Sequence, residues 1–105
     1  MLHGVMLVHT VYFWLREDLT DEQRKAFKEE GIDSLKKIAS TDLVYTGIPA
    51  STDRPVIDRS YDFGLTVVLK DMEAHDEYQV DPIHTDFIKK FGDFWTKVTI
   101  YDAEG

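Results

Sequence analysis

Apolar residues along the chain fall into four short runs rich in β-branched and aromatic side chains, separated by stretches with helical spacing. The first run, Val5-Met6-Leu7-Val8-His9-Thr10-Val11-Tyr12-Phe13-Trp14-Leu15, predicts a strand over 5–15. Alternation places Leu7, His9, Val11, Phe13 and Leu15 on one face and Val8, Thr10, Tyr12 and Trp14 on the other. Both faces are largely apolar, so both need cover.

Thr20 and Gln23 have the spacing of a capping box, and Asp21 and Glu22 suit the positive end of a helix dipole. Phe27, Gly31, Leu35 and Ile38 follow at i, i+4, i+8 and i+11, predicting a helix that runs to about Ala39. Gly31 within that stripe costs about 1 kcal/mol relative to Ala. Close packing, or space left for something else, is expected beside it. Asp42–Ile48 reads as a second strand, 49–55 as a loop punctuated by Pro, and Tyr61–Leu69 as a third strand. A helix is predicted from Asp71 or Met72 to Tyr78. A second piece opens on Asp81-Pro82, cap and first turn, and ends at Gly92. The last strand, Phe94–Tyr101, places Phe94, Thr96, Val98 and Ile100 on one face and Trp95, Lys97, Thr99 and Tyr101 on the other. The order β-α-β-β-α-β is that of the ferredoxin-like split motif, in one α+β domain over 1–105.

Composition removes several functions. Twenty acidic residues against twelve Lys and Arg leave a net charge of −8, and nucleic acid binding rests on cations that neutralise phosphate. The basic pairs Arg24-Lys25, Lys36-Lys37 and Lys89-Lys90 lie among acids in helical patterns and read as solvated faces. With no cysteine there is no disulfide, thiolate metal site or thiol nucleophile. The longest apolar run is shorter than the roughly 20 residues of a membrane span. No basic segment precedes it and no small-residue cleavage site follows, so a cytoplasmic protein without membrane contact is expected.

The chain resembles the stress-responsive α/β-barrel family, often called Dabb, of the dimeric α+β barrel superfamily. The resemblance is carried by Val8-His9-Thr10-Val11-Tyr12-Phe13, by Asp18-Leu19-Thr20-Asp21-Glu22-Gln23 and by Tyr61-Asp62-Phe63-Gly64-Leu65. It is strongest in Tyr78-Gln79-Val80-Asp81-Pro82-Ile83-His84 with Phe87, and in the closing Phe94-Trp95-Thr96-Lys97. It implies a four-stranded antiparallel sheet with helices on one face. The other face closes against a second copy, which would answer the two apolar faces of the first strand.

In the family's polyketide-cyclising plant enzyme, positions matching His9, Tyr78 and His84 line a pocket between sheet and helices. The resemblance implies a site of His9, Phe27, Gly31, Phe63, Tyr78 and His84, with His84 as base and Tyr78 as hydrogen-bond donor in the catalytic case. His84 falls in the first turn of its helix, where a cationic imidazole is disfavoured. The bland readings stand beside this: His84 as a tie across the helix break, His9 as a satisfied core histidine, Tyr78 as amphipathic packing. The chain also departs from the cyclase, with Phe63 where that enzyme has a histidine, and Lys28 and Gly31 where it has aromatic rings. His75, Asp81, His84 and Asp86 share one stretch, but no spacing selects a metal set and no motif selects a haem ligand, so neither metal nor cofactor is assigned.

Three readings follow. The leading one is a homodimer with a small hydrophobic pocket for an apolar or aromatic ligand. The second is a cofactor-independent enzyme, a polyketide-cyclase-like protein or related lyase. The third is a dimer whose pocket is incidental.

Overall fold

The computed structural model describes residues 6–105. Its strands β1 (Leu7–Leu15), β2 (Thr41–Gly47), β3 (Phe63–Leu69) and β4 (Trp95–Glu104) form one antiparallel sheet in the order β2-β3-β1-β4. The predicted start of the first strand at Val5 lies outside the described residues. Helix α1 (Asp21–Ala26) crosses from β1 to β2, and α2 (Met72–Val80) and α3 (Pro82–Phe91) cross from β3 to β4. All pack on one face. The arrangement is the ferredoxin-like α+β fold anticipated from the element order.

The helix starts follow the sequence. Thr20 Oγ1 accepts from the Gln23 N–H at 3.1 Å while the Gln23 side chain accepts from the Thr20 N–H at 2.8 Å. Asp71 and Asp81 cap α2 and α3 through the N–H groups of Ala74 and Ile83, and Pro82 needs no partner for a missing N–H.

The single long helix expected to Ala39 is not found. Regular α-geometry ends at Ala26, a widened π turn covers Phe27–Gly31, and a tight 3₁₀ segment runs Ile32–Lys37. The Ile32 N–H reaches back to the Phe27 and Lys28 carbonyls together. Gly31 marks the switch between the wide and tight turns. Asp33 then ties the tight segment to β2, accepting from Thr46 Oγ1 at 2.6 Å and from Lys28 Nζ at 2.8 Å.

The facing of β4 is also corrected. A bulge shifts its register between Trp14 and Leu15, so Trp14 pairs with Lys97 but Leu15 pairs with Trp95. Thr96 is the extra residue, and its hydroxyl donates to the Trp14 carbonyl at 3.2 Å. Trp95 therefore turns to the helix side beside Val98 and Ile100, not to the opposite face. There its ring centroid lies 5.2 Å from Phe13 and 5.7 Å from Phe87. Phe94 sits ahead of the strand, 5.1 Å from Phe91.

The core fills the space between sheet and helices with Leu7, Val11, Phe13, Leu15, Phe27, Ile32, Leu35, Leu65, Val67, Leu69, Tyr78, Phe87 and Phe91. The sheet's other face carries Val8, Thr10, Tyr12 and Trp14 of β1, Leu43 and Tyr45 of β2, and Lys97, Thr99 and Tyr101 of β4. Among the described residues no helix or strand covers it; Ser60 and Tyr61 of the β2–β3 connection lie against it, at Trp14 and Tyr12.

Candidate functional site

Two elements bring polar side chains to one end of the core. His9 faces the helices from the middle of β1, and α2 presents His75 and Tyr78 to it at i, i+3 spacing. The His9 ring lies 5.5 Å from His75 and 5.7 Å from Tyr78, edge-on to both. The single residue Asp81 between α2 and α3 then turns the chain so that His84 packs 4.7 Å from Tyr78.

His84 is buried at 8% exposure, and its Nδ1–H donates to the Gln79 carbonyl at 3.1 Å. That bond leaves Nε2 as the lone-pair nitrogen. Burial is the largest influence on the ring and lowers its pKa, outweighing the Gln79 carbonyl and Asp81, which raise it. Neutral His84 is thus the form the fold favours. His9, on β1, is held by Asp102 on β4: the two are paired across the strands, and Nδ1 stands 2.5 Å from Oδ1.

Tyr78 is unlike either histidine. It is wholly buried, and its hydroxyl has no hydrogen-bond partner among the described residues. Burial raises its pKa, so the phenol stays protonated and can donate.

These groups open on a cavity of about 180 Å³ between β1, β4 and α3. Val11, Phe13, Leu35, Leu65, Phe87 and Trp95 form its apolar walls, and Val98 and Ile100 form its exposed rim. Of the residues anticipated from the sequence, His9, Tyr78 and His84 line this space. Phe27, Gly31 and Phe63 do not. Phe27 is locked in the aromatic core between Phe13 and Phe63, at 5.3 and 5.6 Å. The space beside Gly31 is taken by rings: a Cβ there would come within 3.2 Å of Phe87 and 3.3 Å of Phe91. Of the two meanings open for that glycine, close packing is the one realised.

Sequence reasoning did not single out Asp102, Trp95 or Val98 as site residues. Asp102 and His9 are far apart in the chain, and only the β1–β4 register unites them. A larger groove of about 630 Å³ lies on the outer surface between the α1 extension and α3. It is rimmed by Lys37, Lys89, Lys90, Glu30 and Asp86, and no histidine lines it.

The fold defines a ferredoxin-like α+β domain with a pocket between sheet and helices. The stress responsive A/B barrel domain family matches residues 7–104, and the chain belongs to that family. A Dabb family protein from Mesorhizobium loti with a ferredoxin-like fold superposes with a TM-score of 0.77 at 24% identity, over 95% of this chain and 96% of its own. A dimeric ferredoxin-like protein of unknown function from Thermobifida fusca gives 0.78 at 16% identity, over 98% and 93%. The hydroxynitrile lyase of Passiflora edulis also gives 0.78 at 16% identity, over 95% and 93%. Among curated proteins, none matches the chain.

Proposed function

We propose that the chain acts as a homodimer that binds one small, mostly apolar, oxygen-bearing molecule in the cavity of each subunit. The observation that carries the binding site is an apolar cavity lined by both Tyr78, whose buried hydroxyl has no partner among the described residues, and His84, whose ring lies 4.7 Å from the Tyr78 ring. An unsatisfied buried hydroxyl costs about 1–3 kcal/mol, and a ligand oxygen would relieve that cost. A cavity of about 150 Å³ holds benzene, so a ligand the size of benzaldehyde suits this one. Saturation-transfer NMR with benzaldehyde tests the reading. Binding is expected in the wild type and should be lost in Val98→Trp, which caps the exposed rim without entering the core. Undiminished binding in that variant would place the ligand elsewhere.

A second reading, a cofactor-independent enzyme acting on a small carbonyl compound, is supported by the protonation states of the same pair. Tyr78 would donate to the carbonyl oxygen while His84 Nε2 takes a proton from the adjacent carbon, a contribution of roughly 10²–10⁴-fold. Hydrogen–deuterium exchange at the methyl group of acetophenone is the test. Acceleration by the wild type but not by His84→Ala would support it, and equal rates would remove it.

A further inference from the structure

Behind the cavity, three ligating side chains from three different elements converge. One nitrogen from each of His9 and His75 and one carboxylate oxygen of Asp102 lie within 4.8 Å of one another. The Asp102 carboxylate reaches both rings, with Oδ1 at 2.5 Å from His9 Nδ1 and Oδ2 at 3.8 Å from His75 Nε2. We propose that His9, His75 and Asp102 form a binding site for a divalent transition-metal ion, with zinc as its natural probe. The site shares His9 with the pocket wall but does not depend on small-molecule binding there.

Two observations beyond proximity support it. The first is tautomer control. His75 Nδ1 faces the Asp76 carboxylate at 3.2 Å, which favours the proton on Nδ1 and a lone pair on Nε2, 3.5 Å from the Gln79 side-chain nitrogen and 3.8 Å from Asp102. A carboxylate on the far nitrogen is the usual outer partner of a metal-bound imidazole; it orients the ring and raises its basicity. The proton that His9 shares with Asp102 would leave as the ion binds. The second is anchoring. His9 and Asp102 are directly opposed residues of adjacent strands, so two of the three ligands are held by the sheet's own hydrogen bonds.

The donor set selects the class of ion. Two imidazoles and one carboxylate suit zinc, iron(II), cobalt(II) or nickel(II), whereas magnesium and calcium prefer oxygen alone. Three protein ligands leave at least one coordination position for water or another small molecule. Zinc bonds of about 2.0–2.2 Å set tetrahedral donors roughly 3.3–3.6 Å apart, so the His9–Asp102 contact must open while the wider separations close. Asp102, whose side chain is 40% exposed on the edge strand, is free to make that adjustment. The net charge of −8 further favours a cation.

Isothermal titration of the wild-type protein with zinc chloride tests the site, with cobalt(II) absorption as a coordination readout. One equivalent per chain is expected, together with the visible band of nitrogen- and oxygen-ligated cobalt. His75→Ala and Asp102→Asn should each weaken zinc binding by at least about a hundredfold, with circular dichroism confirming their folds. His84→Ala should bind zinc like the wild type, which separates this site from the small-molecule pocket. Failure of the wild type to bind, or binding that survives both ligand substitutions, would overturn the proposal.

Discussion

At the scale of single residues, burial sets up two opposite instabilities. The Tyr78 hydroxyl is buried and unpartnered, so Tyr78→Phe removes a desolvated polar group without removing a contact. Stability of the ligand-free protein should rise by about 1 kcal/mol, read as a higher denaturant midpoint at unchanged m-value. A fall instead would reveal a bridging water or another partner on that oxygen. His84 works the other way, through pH. Its pKa in the folded state is lowered by burial, so the unfolded chain binds its proton more readily than the folded one. The stability this affords a neutral ring is complete above the ordinary histidine value of about 6.5 and is lost as pH falls through the lower folded-state value. Melting temperature should therefore drop more steeply over that window in the wild type than in His84→Gln. Parallel pH profiles for the two proteins would show that His84 is not the group responsible. Both histidines and Tyr78 were legible as site candidates because a polar group in an apolar pattern, or one at a helix start, stands out in sequence. The lack of a partner on Tyr78 was not legible, since it depends on every neighbour that the fold does or does not supply.

At the scale of elements, the α1 region shows how a neighbour overrides local pattern. The stripe Phe27, Gly31, Leu35, Ile38 has helical spacing, and in the structure all four are buried, yet the backbone between them passes from a π turn to a 3₁₀ segment. What the stripe could not reveal is that Phe87 and Phe91 of α3 press against Gly31 from across the layer. Gly31→Ala gains about 1 kcal/mol of intrinsic helix preference. It also sets a methyl group at 3.2–3.3 Å from two rings that are themselves buried and enclosed by other aromatics. Overpacking costs about 1–3 kcal/mol, so a net loss of stability is expected in thermal or chemical denaturation. Gly31→Phe should prevent folding altogether. A stabilised Gly31→Ala would mean that the two rings yield easily and that the distorted turns have another cause. The β4 bulge carries the same lesson. One inserted residue, Thr96, reverses the facing of Trp95, and strict alternation has no means of registering it. The element order and the capped helix starts at Thr20 and Asp81 were legible because they rest on local chemistry and connectivity. The shared corner of His9, His75 and Asp102 was not, because it exists only once β1, β4 and α2 have met.

At the scale of the molecule, the shape itself argues for a second copy. The chain measures 45 × 36 × 18 Å, and its radius of gyration of 14.4 Å exceeds the roughly 13 Å expected for a compact domain of this length. It is a slab, one sheet and one helical layer thick. Its uncovered sheet face carries Leu43, Tyr45 and Tyr101, exposed at 57, 65 and 64%, around Tyr12 and Trp14 on the central strand. The long connection from β2 to β3 adds exposed Ile48, Val56 and Ile57. A monomer gains nothing from so much water-facing aromatic and aliphatic surface, whereas two such faces brought together by a two-fold axis each supply what the other lacks. Tyr12 is the residue at which to break this. It lies on a central strand of the open face, opposite Gly64 of β3 and with its ring 4.7 Å from Tyr61, and it is not part of the helix-side core. Light scattering at micromolar concentration should return twice the 12.2 kDa chain mass for the wild type, as expected when an interface exceeds about 1,000 Å². Tyr12→Glu places one carboxylate from each subunit in that closed interior, where an unpaired charge costs several kcal/mol, and should return the mass of a single folded chain. A wild-type monomer across the same range would leave the open face without a partner, and a Tyr12→Glu dimer would move the interface off this face.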